Sequence, residues 1–263
     1  MDLGLNDKSV LVLASSKGLG KATARQFAAE GARVFLASRS KEALDKAAEE
    51  IREGTGNPNV AYGVCDITND ESIKQLVTDA KAAHGPIDVL INNAGGPPAG
   101  TFDDVDDDNW QDAFELNLLS FVRAIREVLP DMRKQGSGHI LNFASSSIKQ
   151  PIDNLILSNT FRAGITGLSK SLSQELASDN ILINTIGPGR IGTDRVDHLD
   201  SVKAEKLDRP LAAIRQEAES QIPIGRYGEP EEFAKIAVFL CSEANTYVTG
   251  QSLLVDGGMV KAL

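Results

Sequence analysis

The residues best placed to do chemistry in this chain begin in a turn. Val10-Leu-Val-Leu, a β-branched and aliphatic run, gives way to the small residues Ala14, Ser15, Ser16, Lys17, Gly18, Leu19 and Gly20. A pattern with helical spacing follows, from Lys21 to Glu30. Small side chains let backbone N–H groups approach a phosphate closely, and the helix behind them offers its N-terminus to the negative charge. A tight strand-to-helix connection also wants glycine, so the turn alone is a weak signal. A second strand, Arg33-Val-Phe-Leu-Ala37, ends at Ser38 and Arg39. An NAD-binding chain usually carries an acid there to bond the ribose 2′-hydroxyl. Serine followed by arginine suits a 2′-phosphate instead, which a guanidinium grips with two parallel bonds. Lys17 adds a second cation nearby; the plain alternative for both is a solvated surface. Asn117 falls on a helical stripe of Trp110, Phe114, Phe121 and Val128, and a polar side chain on a buried stripe needs partners.

Composition bounds what such residues can serve. The chain has 263 residues, 41% of them hydrophobic, enough for a full core in one large α/β domain or two small ones. A net charge of −10 argues against nucleic acid and anionic membrane surfaces as partners. No apolar run reaches the length of a membrane span, and Met1–Asp7 lacks the basic and apolar regions of a signal peptide, so a cytoplasmic protein is expected. Cys65 and Cys241 sit in apolar surroundings without motif spacing, which suits buried thiols better than a disulfide. His84, His139 and His198 are far apart, and no metal site is expected.

The elements that must position these residues alternate with few interruptions. After the first two strands come a helix from Glu42 to Ile51, a strand at Val60–Val64 and a helix from Ser72 to Ala83. The strand Ile87–Ile91 leads into Asn92-Asn-Ala-Gly-Gly96. The aspartates between Asp103 and Asp108 fall where a helix N-terminus favours them, ahead of a long helix from about Asn109 to Met132. Then follow a strand at His139–Phe143, a helix at Leu155–Leu176, a strand at Ile181–Ile186, a helix near Glu231–Leu240 and a strand at Ser252–Val255. Near-continuous apolar strands alternating with helices predict an α/β fold, a Rossmann-type doubly wound parallel sheet, in a single domain over residues 1–263. The long strand-free stretch before Glu231 is a candidate substrate lid at about 190–225, or else a surface excursion.

Taken together, these motifs resemble the short-chain dehydrogenase/reductase family, in its 3-oxoacyl-acyl-carrier-protein reductase branch, over nearly the whole length. Leu13–Gly20 is similar to the family's Thr-Gly-x-x-x-Gly-x-Gly turn, with Leu13 and Ala14 in place of Thr and the first Gly. The resemblance puts Asp66, with Ile67 beside it, at the adenine ring. It assigns Asn93, Ala94 and Gly95 to the motif after the fourth strand, and Pro188, Gly189, Ile191 and Thr193 to the segment holding the nicotinamide carboxamide. Asn117 takes the position of the family's catalytic asparagine, which anchors a water in a proton relay. The tail from Gly228 through Tyr247-Val-Thr-Gly-Gln251 to Val255-Asp-Gly-Gly258 is also similar. The implied cofactor is NADP(H), the implied partner a small-molecule substrate, and the implied assembly a homotetramer or homodimer paired through the helices Asn109–Met132 and Leu155–Leu176. Leu118, Leu119 and Leu172, and the apolar end Gly258–Leu263, fit such docking.

The resemblance breaks at the catalytic residues. The family uses a serine, a tyrosine thirteen residues on, and a lysine four residues further. Here the serine is Ser145, the tyrosine position holds Ser158 and the lysine position holds Arg162, which also borders the cofactor. Residues four apart share a helix face, so the geometry is kept while the chemistry changes. A phenol near pKa 10 can be drawn towards neutrality by a neighbouring cation; a serine hydroxyl cannot. The leading expectation is an oxidoreductase moving hydride to or from a small carbonyl, alcohol or conjugated substrate through an atypical site. Two alternatives stand beside it: a non-catalytic NADP(H)-binding scaffold or sensor, and a lyase or isomerase using the same pocket without net redox change.

Overall fold

The apolar runs form seven parallel strands: β1 (Ser9–Val12), β2 (Arg33–Ser38), β3 (Val60–Val64), β4 (Val89–Asn92), β5 (Gly138–Phe143), β6 (Ile181–Pro188) and β7 (Ser252–Val255). They lie in one sheet in the order β3-β2-β1-β4-β5-β6-β7. This computed structural model describes residues 1–262, so Leu263 at the end of the expected docking tail lies outside the described residues. The helices are α1 (Gly18–Ala29), α2 (Lys41–Thr55), α3 (Asp70–His84), α4 (Asp107–Phe114), α5 (Ser120–Gln135), α6 (Ile156–Glu175), α7 (Asp194–Leu207), α8 (Leu211–Ser220) and α9 (Pro230–Leu240).

Helices cover both faces of the sheet, which is why its central strands are mostly apolar and buried. On one face Phe27 of α1, Leu44 and Ile51 of α2, and Phe233 and Val238 of α9 pack on Val10, Val12, Val34 and Ile91. On the other, Ile73 and Leu76 of α3 and Ile125 and Val128 of α5 pack on Leu11, Phe35, Leu90 and Ile140. Fully buried side chains such as Phe27, Phe121 and Phe233 each stabilise the fold by roughly 1.5–3 kcal/mol. Both cysteines are buried free thiols.

Local signals set the helix ends. Ser40 and Asn69 cap α2 and α3 through bonds accepted from Ala43 N–H and Ser72 N–H. Asp106 caps α4, with Asp107 and Asp108 in its first turn, as the run of aspartates predicts. The helix expected as one piece from Asn109 is interrupted: residues Glu115–Leu119 form a π-turn between α4 and α5. Such one-residue insertions often mark functional positions. The stretch 190–225 holds α7 and α8. It is tied down by Asp200, which is buried, accepts from Tyr227 Oη at 2.7 Å and pairs with Arg190. Arg215 lies over the Tyr227 ring, 4.9 Å from its centre. No helix among the described residues is long and apolar enough to cross a membrane.

Candidate active site

Strand order reverses direction between β1 and β4, and ligands of such sheets bind in the crevice outside the strand ends at that point. The turn after β1 and the Asn93-Ala94-Gly95 segment after β4 face each other there, joined by Asn93 Nδ2 donating to Ala14 O at 3.1 Å. A Cβ on Gly20 would come within 2.5 Å of Ala14 O, so only glycine lets the helix approach the turn this closely. Ala14 itself adopts φ 47°, a left-handed conformation that suits the glycine of the resembled motif better than alanine. Lys17 stands at the N-cap of α1 with no side-chain cap, and no acid occupies the first turn, so the N–H groups there stay available to an anion. Ser15 turns inward: its Oγ donates to Val12 O at 2.8 Å and accepts from Ala37 N–H at 2.9 Å. Its hydroxyl therefore ties β1 to β2, leaving the backbone and Ser16 on the open side. Lys17 Nζ lies 3.5 Å from Asp194.

At the far end of the crevice, Ser38 closes β2 and Arg39 is exposed, without an ion-pair partner among the described residues. Asp66 accepts from Thr68 N–H at 3.0 Å and from Thr68 Oγ1 at 2.8 Å. Those bonds, chiefly the backbone one, and the charge of Arg39 hold its carboxyl below the usual carboxylate range. Ile67, next to it, is buried.

The other end gathers the remaining residues. The π-turn carries Asn117 inward, fully buried, and its Nδ2 donates to Gly95 O at 2.7 Å while its Oδ1 has no protein partner. Ser145 follows β5, and its Oγ accepts from Ser147 N–H at 3.2 Å. Ser158 and Arg162 lie one turn apart on the buried face of α6. Arg162 Nη1 donates to Phe143 O at 2.7 Å, two residues before Ser145. Burial, and then the charge of Arg195, push the Arg162 guanidinium down to about 10, still far above neutrality, so it stays charged. Pro188 ends β6. Gly189 N–H donates to Val255 O at 2.9 Å, and a Cβ on Gly189 would meet Asp256 at 2.6 Å. Ile191 is buried against Gly228, and Thr193 stands at the N-cap of α7 without a side-chain capping bond.

A buried polar ladder holds α6 in register with the sheet. Asn92, Asn142 and Thr185 are neighbours across β4, β5 and β6. Asn92 Nδ2 donates to Asn142 Oδ1 at 2.8 Å, Asn142 Nδ2 to Ser169 Oγ at 2.9 Å, and Ser169 Oγ meets Thr185 Oγ1 at 2.8 Å. No tyrosine takes over the vacated position elsewhere. Of the three in the chain, Tyr62 bonds Asp45, Tyr247 is 96% exposed, and Tyr227 is pushed up to about 12 by burial and its bond to Asp200. What remains is a set of donors, two of them cationic, Arg162 and Arg195. Sequence reasoning missed Arg195, whose Nη2 donates to Pro97 O at 2.9 Å, and the ladder behind α6.

A family model described as enoyl-(acyl carrier protein) reductase matches residues 13–260. The chain is 36% identical over 259 residues to the 3-oxoacyl-[acyl-carrier-protein] reductase of Thermotoga maritima, covering 97% of this chain and 99% of that one. It is 34% identical over 256 residues to dehydrogenase/reductase SDR family member 4 of Oryctolagus cuniculus, covering 97% and 94%. Among solved structures, L-sorbose reductase from Gluconobacter frateurii, complexed with NADPH and L-sorbose, superposes with a TM-score of 0.94 at 34% identity, over 100% of both chains.

Proposed function

The chain belongs to the short-chain dehydrogenase/reductase family, and from that premise we propose that it is an NADP(H)-dependent oxidoreductase acting on a small carbonyl or alcohol through fixed charge and hydrogen bonds. The residues fit the cofactor. The close approach at Gly20 and the open N-terminus of α1 suit the diphosphate, and Arg39, without a partner among the described residues, suits a 2′-phosphate. The NADPH bound to the sorbose reductase supports the same choice. Asp66 and Ile67 would flank the adenine, and Pro188, Gly189, Ile191 and Thr193 the nicotinamide.

When bound, NADPH supplies the hydride. Ser145 already accepts a bond from Ser147 N–H, which leaves its hydroxyl proton for a substrate oxygen. Arg162 stabilises the negative charge that develops on that oxygen, in a buried place where fixed charge acts most strongly. Ser158 contributes a hydroxyl but no titrating acid, and Asn117 braces Gly95. The proton that completes the alcohol enters from water or from the substrate. The single observation that carries this reading is Arg162, 5% exposed and charged, one helical turn from Ser158. We propose further that 190–225 serves as the substrate lid. Copies of the chain pair as a homodimer or homotetramer along the groove between α5 and α6, lined by Val122, Leu129, Leu168 and Leu172. A monomer mass by light scattering would overturn the pairing.

The test of the activity is NADPH oxidation with a small β-keto ester. Ser158→Ala lowers turnover by less than roughly tenfold, below the loss of a true general acid, and Arg162→Ala lowers it further. The double change Ser158→Tyr with Arg162→Lys raises ketone reduction. Loss of all activity in Ser158→Ala with Arg162→Ala unaffected refutes this division of roles, and tight NADPH binding with no turnover on any carbonyl favours a scaffold.

A further inference from the structure

Two guanidinium groups are bonded to carbonyls of the segments after β4 and at the end of β5, and no carboxylate of the described residues pairs with either. Arg162 is buried, its Nη1 is spent on Phe143 O, and the charge acting on it is another cation, Arg195. Arg195 opens α7 and reaches back over the segment after β4. Its Nη2 donates to Pro97 O and would lie 3.0 Å from a Cβ on Gly96. The acid beside it in sequence, Asp194, is turned to Lys17 instead. Asn117 holds Gly95 O, so this wall is fixed from one side by Asn117 and from the other by Arg195. Two like charges near one another, one of them buried, are costly unless an anion joins them. The chain as a whole carries a net charge of −10, so the arrangement is local rather than a reflection of a basic surface.

We propose that the substrate is a small oxo acid, its carboxylate held by Arg195 while its carbonyl oxygen, within two carbons, faces Arg162 and Ser145. This rests on the reading of the site as a carbonyl-reducing centre and narrows its substrate class. The cofactor's phosphates have donors of their own at the α1 N-terminus, Lys17 and Arg39, whereas Arg195 is bonded to the wall beyond the Asn93–Gly95 motif. Both guanidiniums keep donors free after their single carbonyl bonds, since each carries five N–H groups.

The experiment is calorimetric titration of the NADP⁺-loaded protein with pyruvate, acetoacetate and their methyl esters, repeated with Arg195→Gln and Arg195→Lys. Arg195 is exposed, and far-UV circular dichroism beside the titration checks that both variants keep the fold. At least one acid binds about ten- to hundredfold more tightly than its ester, the yield of a charge-assisted bond. Arg195→Gln abolishes that preference without changing NADPH affinity, and Arg195→Lys keeps part of it. Equal binding of every acid and its ester, no binding of either acid, or a preference that survives Arg195→Gln overturns the proposal. So does a loss of NADPH affinity in Arg195→Gln, which would assign the residue to the cofactor. Preferential acid binding with no NADPH oxidation sinks the hydride-transfer reading and leaves the carboxylate site standing; oxidation driven by esters but not acids does the reverse.

Discussion

Replacing Arg162 with methionine should make the protein more stable and less active at once. The side chain is 5% exposed and has no carboxylate partner among the described residues, so the fold carries the desolvation of a cation without a counter-charge from them. Burial lowers its pKa to about 10, a fall that corresponds to a few kcal/mol against the charged form. Methionine fills similar space with an adaptable apolar chain. The variant forfeits the bond to Phe143 O and leaves that carbonyl unsatisfied, at a cost of about 1–3 kcal/mol. The balance favours the variant by about 1 kcal/mol, or roughly 2–4 °C in melting temperature for a chain of this size. Turnover falls about 10²–10³-fold, the usual result of removing a donor to a developing oxyanion. Because the folded pKa is depressed, the unfolded chain binds the extra proton above about pH 10. Parental stability therefore recovers as pH rises through that window, and the gap between the two proteins narrows. Differential scanning calorimetry at pH 7 and above pH 10, beside NADPH oxidation, reads all of this. A melting temperature several degrees below the parent at pH 7 would show that Arg162 is a structural strut and refute the reasoning.

Further outcomes are expected elsewhere. Arg39→Ala weakens NADPH binding by about ten- to hundredfold, the value of one charged hydrogen bond, and leaves NADH unchanged; fluorescence titration showing equal losses for both contradicts the 2′-phosphate contact. Ala14→Gly relieves the left-handed backbone at φ 47° and raises the urea midpoint, by an amount equivalent to about 0.5–1 kcal/mol; a lowered midpoint refutes that strain. His139 bonds Asn245 O, and burial holds its imidazole below the usual 6.5. Since the unfolded chain then takes up the proton first, stability falls as pH drops through 6.5 towards the depressed value. His139→Gln flattens that fall in urea unfolding measured at pH 7 and pH 5, and an unchanged slope rules the histidine out as its source.

How much of this was legible in the sequence depended on which residues faced two layers at once. Strands buried on both faces announce themselves as apolar runs, and the parallel, doubly wound sheet followed from them, though its strand order did not. The start of β4 was misplaced by two residues, at Ile87 instead of Val89. Ile87 is buried, but the next residue, Asp88, bonds Ser9 N–H through its side chain before the ladder begins. The π-turn at Glu115–Leu119 stayed hidden because helical periodicity tolerates one inserted residue, although Asn117 was found by its place among aromatics. The spacing that paired Ser158 with Arg162 was legible because α6 keeps a strict stripe. Arg195 was not, since it sits among alternating charges that read as a solvated helix, and only the fold brings it over Pro97.

If Ser158 and Arg162 stand where the resemblance puts tyrosine and lysine, as proposed above, the double exchange changes what each position is for. A lysine beside a tyrosine earns its effect by lowering the phenol's pKa; with serine in that place there is no titration near neutrality left to shift. A guanidinium there cannot act as a proton shuttle either, because at about 10 it remains charged throughout the neutral range. Its remaining effects are electrostatic and geometric, and both are strongest where Arg162 lies, out of water and fixed by Phe143 O. The serine hydroxyl at 158 is then a filler and a weak donor, small enough to leave room that a phenol ring would occupy. A site so arranged would select its substrate by negative charge, as proposed above, and would leave the proton to water or to the substrate itself.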